Sequence, residues 1–283
     1  MRSLKDWTLL VAKGFAMGTA DIIPGVSGGT IAFITGIYEE LISSIAGLGL
    51  STARDLFKNG IKSTWAKYNL NFLVAVFTGI LVAVFTLSKA LNYLYEFHPE
   101  ELLSFFFGLV LASTPIIWRT IKVKNLKAIL FLFLGSAIAA LITSSPTLVS
   151  EPTPLLIAIS GAIAISAMLL PGLSGSFLLI ILGAHKTILT AVEKFDIVIL
   201  GSFLIGIIIG LLSFSRLLKN LLKNHHDLTI STLVGFMLGA IHELWPWKES
   251  DISEAASSEI LFASVFAIIG AAIVFILGKL SKK

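Results

Sequence analysis

The chain contains no cysteine. Disulfide frameworks, thiol nucleophiles and cysteine-ligated metals are therefore excluded. Charge is scarce as well: 13% of the residues are Asp, Glu, Lys or Arg, against about 25% in soluble domains. With 56% hydrophobic residues and a mean hydropathy of +0.93, most of the surface must face lipid. No G-x-x-x-x-G-K-[ST] run is present, so the sequence offers no P-loop for ATP. Dense basic patches are also missing. The net charge of +4 is spread over separate loops, which speaks for membrane topology and against nucleic-acid binding.

Ten apolar segments fill the chain, at 4–24, 28–50, 70–95, 102–118, 128–145, 154–170, 174–192, 197–215, 229–246 and 260–278. Several reach the length of about 20 residues that a membrane span needs. This composition predicts an all-α, multi-pass membrane protein. The first segment carries Lys5, Asp6 and Lys13 and has no small-residue cleavage site, so it reads as a retained helix. Segment 51–68 is different. Phe57, Ile61 and Trp65 recur at helical spacing, with Arg54, Lys58 and Lys62 on another face. That pattern predicts a helix lying on an anionic leaflet, which Gly60 weakens.

One motif occurs twice. Pro24-Gly25-Val26-Ser27-Gly28-Gly29-Thr30 is echoed by Pro171-Gly172-Leu173-Ser174-Gly175-Ser176, 147 residues later. The same offset pairs Gly14 with Gly161 and Gly36 with Gly183. Farther on, an offset of 127 pairs Asn69 with Asp196, Gly79 with Gly206, Gly108 with Gly235 and Trp118 with Trp245. The chain thus divides into two repeats, 1–150 and 151–283, each with a broken helix pair followed by three spans. Whether a broken pair spans or re-enters, the number of crossings per repeat is odd, so the second repeat is inverted. Loop charge follows this scheme. Arg2 and Lys5, then Arg54 to Lys67, Arg119 to Lys127, Arg216 to Lys223, and Lys279, Lys282 and Lys283 fall on one side. Glu96, Glu100, Glu101, Glu151, Glu249, Asp251, Glu254 and Glu259 fall on the other, with Lys186 and Lys194 as exceptions. The positive-inside rule makes the basic side, and both termini, cytoplasmic.

Proline and glycine inside an apolar region leave backbone groups unbonded, at several kcal/mol each in hydrocarbon. Paired breaks of this kind point to a transporter's binding site. The first amides of any helix lack internal partners and attract anions. Ser27, Gly28, Gly29 and Thr30 in one repeat, and Ser174, Gly175 and Ser176 in the other, could together hold one anion. The plainer alternative is a tight turn with a serine cap. Asp21, three residues before Pro24, is an acid at depth in the membrane and hence a candidate for coupling a proton or a cation; otherwise it bonds the freed backbone. Glu39 and Glu40 would line a cytoplasmic mouth or sit at the interface. His242 and Glu243, beside Trp245 and Trp247, would form a proton relay or an interfacial pair. Lys89 can snorkel. Arg119 and Arg216 suit phosphate, though the positive-inside pattern alone accounts for both. No metal site and no cofactor are indicated.

The stretch Gly18-Thr19-Ala20-Asp21-Ile22-Ile23-Pro24-Gly25-Val26-Ser27-Gly28-Gly29-Thr30 and its partner Leu170-Pro171-Gly172-Leu173-Ser174-Gly175-Ser176 resemble the bacterial polyprenyl-phosphate transporter family, over nearly the whole chain. The resemblance implies recycling of undecaprenyl phosphate from the outer to the inner leaflet of the cytoplasmic membrane; with no P-loop in the sequence, the energy would come from an ion gradient, the membrane potential or the lipid gradient itself. Membrane undecaprenyl-diphosphate phosphatases also use inverted repeats with Pro-Gly-x-Ser motifs, but there an arginine follows the serine and a glutamate-rich motif does the chemistry. Here Gly28 and Gly175 take the arginine position, and only Asp21 precedes a motif. The residues therefore favour a binding site over an enzyme. A transporter of a small soluble anion is the third reading, disfavoured by the resemblance alone.

Overall fold

The structure is a computed structural model that describes residues 2–146, 152–247 and 256–280. Glu151, Glu249, Asp251, Glu254, Lys282 and Lys283 lie outside the described residues. Among the described residues there are thirteen α-helices, one 3-10 turn and no strand. The first seven helices are α1 (Leu4–Ile22), α2 (Gly28–Ile34), α3 (Tyr38–Gly47), α4 (Leu50–Lys67), α5 (Leu70–Phe97), α6 (Pro99–Trp118) and α7 (Leu126–Thr143). Then come α8 (Pro154–Met168), α9 (Gly175–Ile181), α10 (Ala184–Lys194), α11 (Ile197–Asn224), α12 (His226–Gly239), the 3-10 turn Ile241–Leu244 and α13 (Ser257–Leu280).

Six of these elements are long and apolar enough to cross a membrane: α5, α6, α7, α11, α12 with its 3-10 extension, and α13. The protein is a multi-pass membrane protein. Its outer surface carries large apolar side chains such as Phe85, Phe133, Ile197 and Leu261, as lipid-facing helices do. Polar caps start the spans where the chain leaves an interface. The Asn125 side chain accepts from the Ala128 amide at 3.0 Å. Asp196 accepts from Val198 and Ile199 at 3.0 and 3.1 Å.

Two apolar stretches are not single helices. Segment 28–50 breaks at residues 35–37, where Gly36 has φ +73°. Segment 174–192 bends by 102° between α9 and α10, where Gly183 has φ +69°. Without a Cβ, glycine adopts this left-handed geometry freely. Helix α8 has 15 residues, or about 22 Å, short of the hydrocarbon thickness of about 30 Å. The helix expected over 51–68 is present as α4, with Leu50, Phe57 and Ile61 strongly exposed. Gly60 interrupts it at φ +75° and ψ 168°. Hydrogen bonds from the Lys67 ammonium and the Tyr68 hydroxyl clasp Asp55 across that kink and hold its carboxyl below the usual carboxylate range.

The helices pair as α1 with α5, α8 with α11, α6 with α13 and α7 with α12. Exchanging the two halves of the chain maps this set onto itself. Gly14 and Gly18 lie against Val76 and Ile80, and Gly206 and Gly210 lie against Ala158 and Ala162. Both α1–α5 and α8–α11 are therefore parallel pairs. The matched glycines of the sequence do matched work, letting backbones touch where lipid provides no hydrophobic drive for helices to associate. A Cβ on Gly206 would stand 1.9 Å from the Ala158 carbonyl oxygen, and one on Gly79 would stand 2.1 Å from that of Val11.

Among the described residues, the segments around Arg2, Asn69, Val123 and His226 come together on one face. The Arg2 guanidinium bonds Glu40 at 2.5 Å, and the Asn69 amide donates to the same carboxylate at 2.8 Å. His226 lies 3.0 Å from Glu39, and Asp227 accepts from the Val123 amide at 2.8 Å. The Lys13 ammonium reaches the Thr35 carbonyl at 2.7 Å. The main core lies just inside this face, around Ile42, Phe72, Val76, Ile230, Leu233 and Met237.

Gly206→Leu is expected to unseat α8 from α11. Overpacking costs about 1–3 kcal/mol where side chains can shift, and here the obstacle is backbone. Gly201→Leu on the same helix meets nothing within 4 Å and serves as the control. Thermal unfolding in detergent should show a markedly lower Tm for the first variant alone; equal melting of the two would contradict this packing.

Candidate functional site

The two Pro-Gly breaks meet each other. In the first, the α1 helix stops at Ile22, Gly25 turns the chain at φ +85°, and Ser27 caps α2. In the second, α8 stops at Met168, Gly172 turns at φ +87°, and Ser174 caps α9. Proline at 171 interrupts the helical ladder and leaves carbonyls and amides without helical partners. Side chains of the first hairpin take up those groups. The Tyr38 hydroxyl donates to the Leu169 carbonyl at 2.8 Å. The Ser27 hydroxyl donates to the Leu170 carbonyl at 2.9 Å. The Thr30 hydroxyl accepts from the Gly172 amide at 3.0 Å. All three side chains are buried, and the space among Ser27, Thr30 and Gly172 admits no water-sized occupant.

This geometry changes the roles expected of the first motif. Ser27 already donates to Leu170 and accepts from the Gly29 amide at 3.1 Å. The Gly28 amide donates to the Asp21 carboxylate at 2.7 Å. The chain's own carboxylate thus occupies the place at the start of α2 where an external anion was expected. Gly28 is glycine because a Cβ would stand 2.4 Å from the Asp21 Oδ2 atom. At the equivalent place in the second repeat, a Cβ on Gly175 would stand 2.5 Å from Met168 Cγ. The two positions pack alike, but one neighbour is an acid and the other a thioether.

Because Met168 brings no acceptor, the second break stays open. Ser174, Gly175 and Ser176 line a cavity of about 170 Å³ together with Asp21, Gly161, Ala164, Ile165, Met168, Leu179, Phe203 and Ile207. The Ser174 and Ser176 hydroxyls lie 2.9 Å apart. The Gly175 and Ser176 amides donate to no group among the described residues. Helix α9 has only seven residues, so its dipole is small; the donors at hand are these hydroxyls and amides. The cavity lining contains no lysine, arginine or histidine. No group of three His, Cys, Asp or Glu side chains able to hold a metal exists among the described residues.

The remaining candidates lie elsewhere. Glu39 and Glu40 belong to the polar face with Arg2, Asn69 and His226. Arg119 is exposed just past the end of α6. Arg216 caps the C-terminus of α3, donating to the Leu48 carbonyl at 2.7 Å. His242 contacts the Gly239 carbonyl at 3.0 Å, Thr143 at 3.3 Å and Glu243 at 3.3 Å. Glu243 is buried and packs toward Gly25, whose Cβ would lie 3.4 Å from its own. Two acids therefore flank the first break, Asp21 and Glu243. Neither this contact nor the Tyr38 bond has a signal in the sequence, since each joins segments over 130 residues apart.

Thr30→Val keeps the shape but strands the Gly172 amide. An unsatisfied buried donor costs about 1–3 kcal/mol, so Tm should fall. Ser176→Ala, on the cavity wall, should leave Tm nearly unchanged. The opposite order in a melting experiment would refute the interlock. Gly28→Val is a poor probe of ligand approach, because it first displaces Asp21.

A profile of the undecaprenyl phosphate translocase-like family (VCA0040-like) matches residues 17–261. The chain is 46% identical over 238 residues to a polyprenyl-phosphate transporter of Vibrio cholerae serotype O1, covering 84% of this chain and 77% of that protein. It is 32% identical over 277 residues to a polyprenyl-phosphate transporter of Staphylococcus aureus, covering 91% and 93%. No solved structure matches. With the match running through both breaks and the spans between them, the chain belongs to the undecaprenyl phosphate translocase-like family.

Proposed function

We propose that the protein is a flippase that returns undecaprenyl phosphate from the outer to the inner leaflet of the bacterial cytoplasmic membrane, with the phosphate seated between the two breaks. The observation that carries this reading is the cavity lined by Asp21 from one break and Ser174, Gly175 and Ser176 from the other. The names of the two relatives supply the substrate class. The donors are neutral hydroxyls and amides, suited to holding an anion and letting it go. Phosphoryl transfer depends on positive groups that clamp the phosphoryl oxygens. Their lack in this lining supports a transporter over a phosphatase.

The two repeats, 1–150 and 151–283, are inverted in this reading. The parallel pairs α1–α5 and α8–α11 support it. A chain whose α1 and α5 run the same way must return between them, and Arg2–Glu40 and Lys13–Thr35 bring the returning strand back to the starting face. In this reading the broken pairs are re-entrant, and three spans per repeat remain. The gathered basic face is cytoplasmic by the positive-inside rule, with both termini on it, and α4 rests on that leaflet. Transport is then a rocking of one repeat against the other about the crossed breaks. Cysteines at Ser63 and Ser257, placed in a chain that has none, should react with impermeant reagents from opposite sides. Labelling from one side rules the inversion out.

A phosphate in the cavity faces the Asp21 carboxylate. Two unit charges 4 Å apart repel by about 4 kcal/mol at an effective dielectric constant near 20, so binding calls for a proton or a sodium ion at Asp21. Energy then comes from an ion gradient rather than ATP. Transport of labelled undecaprenyl phosphate into proteoliposomes tests both points. Ser174→Ala with Ser176→Ala should cut uptake about tenfold or more, through loss of two hydrogen bonds to a charged group. Asp21→Asn, which keeps an acceptor for Gly28, should bind the lipid but lose dependence on pH or sodium. A stable Asn variant with the wild-type pH and sodium profiles ends the role of Asp21, and hydrolysis of the lipid diphosphate by purified protein ends the transporter reading.

A further inference from the structure

The cavity has two unlike ends. Its polar groups, Asp21, Ser174 and Ser176, cluster at the break, while Ile165, Leu179, Phe203 and Ile207 make the rest of its wall apolar. A free inorganic anion has no carbon to bury. An apolar wall would remove part of its hydration with nothing to offset the loss. At about 170 Å³, the space is close to the roughly 150 Å³ apolar cavity that accommodates one benzene. It holds a phosphate and a short run of carbon, not a long polyprenyl chain. The Phe203 ring is laid against bare backbone at Gly161, where a Cβ would approach its Cδ2 atom to 2.9 Å. The ring thus packs on α8 at the cavity wall.

We propose that Phe203, with Ile207 and Leu179, seats the isoprene unit next to the phosphate, so that the cavity selects a prenyl phosphate ester over free phosphate. The proposal rests on the reading of the cavity as the phosphate site. The polar end recognises the head, the aromatic wall recognises the first carbons, and the rest of the chain leaves through the open side into lipid. Selection is then made by the part of the substrate that all polyprenyl phosphates share. Chain length beyond the first unit contributes little at this site.

The experiment is competition against labelled undecaprenyl phosphate on protein in phosphatidylcholine nanodiscs, with unlabelled undecaprenyl phosphate, geranyl phosphate and inorganic phosphate as competitors. Phe203→Ala should weaken undecaprenyl and geranyl phosphate equally, by about tenfold, as loss of part of one aromatic burial predicts, and leave inorganic phosphate unchanged. Ile207→Ala should act the same way with about a threefold effect, and stands in if Phe203→Ala does not fold. Ser176→Ala should weaken all three competitors. Leu204→Ala, at an exposed neighbouring position on α11, should weaken none. The proposal is overturned if Phe203→Ala leaves geranyl phosphate unaffected, or if it weakens inorganic phosphate as much as the esters. A wild-type protein that binds neither ester removes the cavity as phosphate site, and this proposal with it. Normal ester binding by wild type and Phe203→Ala alike removes the aromatic wall alone.

Discussion

Backbone polar groups inside a membrane must find partners within the protein, and the structure is organised around that constraint. A helix interrupted at Pro171 leaves the Leu169 and Leu170 carbonyls and the Gly172 amide unbonded. Water could satisfy them in a soluble protein. Here Tyr38, Ser27 and Thr30 do so, all from the other half of the chain. One break could not exist without the other hairpin in place. The close parallel pairs α1–α5 and α8–α11 fix the depth of each hairpin, so that these bonds form between buried groups rather than across a gap.

Sequence duplication supplies two similar parts, and a small divergence makes them do different things. At equivalent places, Asp21 packs on Gly28 and Met168 packs on Gly175. The carboxylate closes the first break by accepting from its leading amide. The thioether has no such capacity, so the second break keeps its hydroxyls and amides turned to a cavity. Pseudosymmetry thus builds the frame, and asymmetry at one residue pair decides which break is occupied by the protein itself and which opens on a cavity.

Much of the frame was legible because its signals are local or compositional. Outside 28–50 and 174–192 the apolar segments correspond to single helices with end shifts of a few residues, except that α11 runs on to Asn224. Matched glycines such as Gly79 and Gly206 proved to be matched backbone contacts. Loop charge placed Arg2, the 122–127 loop and the end of α11 on one face, where bonds such as Val123 to Asp227 now join them. The breaks inside 28–50 and 174–192 were not legible, because an isolated glycine such as Gly36 or Gly183 is tolerated within a helix and does not by itself mark a bend. Nor could the motif reveal which of its donors were engaged. Ser27 and Ser174 stand in the same pattern, and only tertiary contact shows the first locked to Leu170 and the second facing a cavity. Arg216 looked like a phosphate ligand or an inside-positive marker. It caps α3 rather than lining the cavity, a role set by which helix ends nearby.

The charge balance of the cavity bears on energetics as much as on binding. With no lysine, arginine or histidine in the lining, the cavity offers no fixed counter-charge to the phosphate proposed for it. A phosphate monoester carries about −1.5 to −2 charges at pH 7. In the proposed inward direction, against an inside-negative potential, its movement costs about 2.3 kcal/mol per charge per 100 mV. A fixed arginine in the cavity would ease binding but would have to be separated from the phosphate at release. A carboxylate that accepts a proton or a sodium ion carries the compensating charge with the cargo and gives it up on the other side. If the cargo is a phosphate lipid moved inward, as proposed, an acid beside the site is better suited than the base that simple complementarity would suggest, and Asp21 is the acid in the cavity lining.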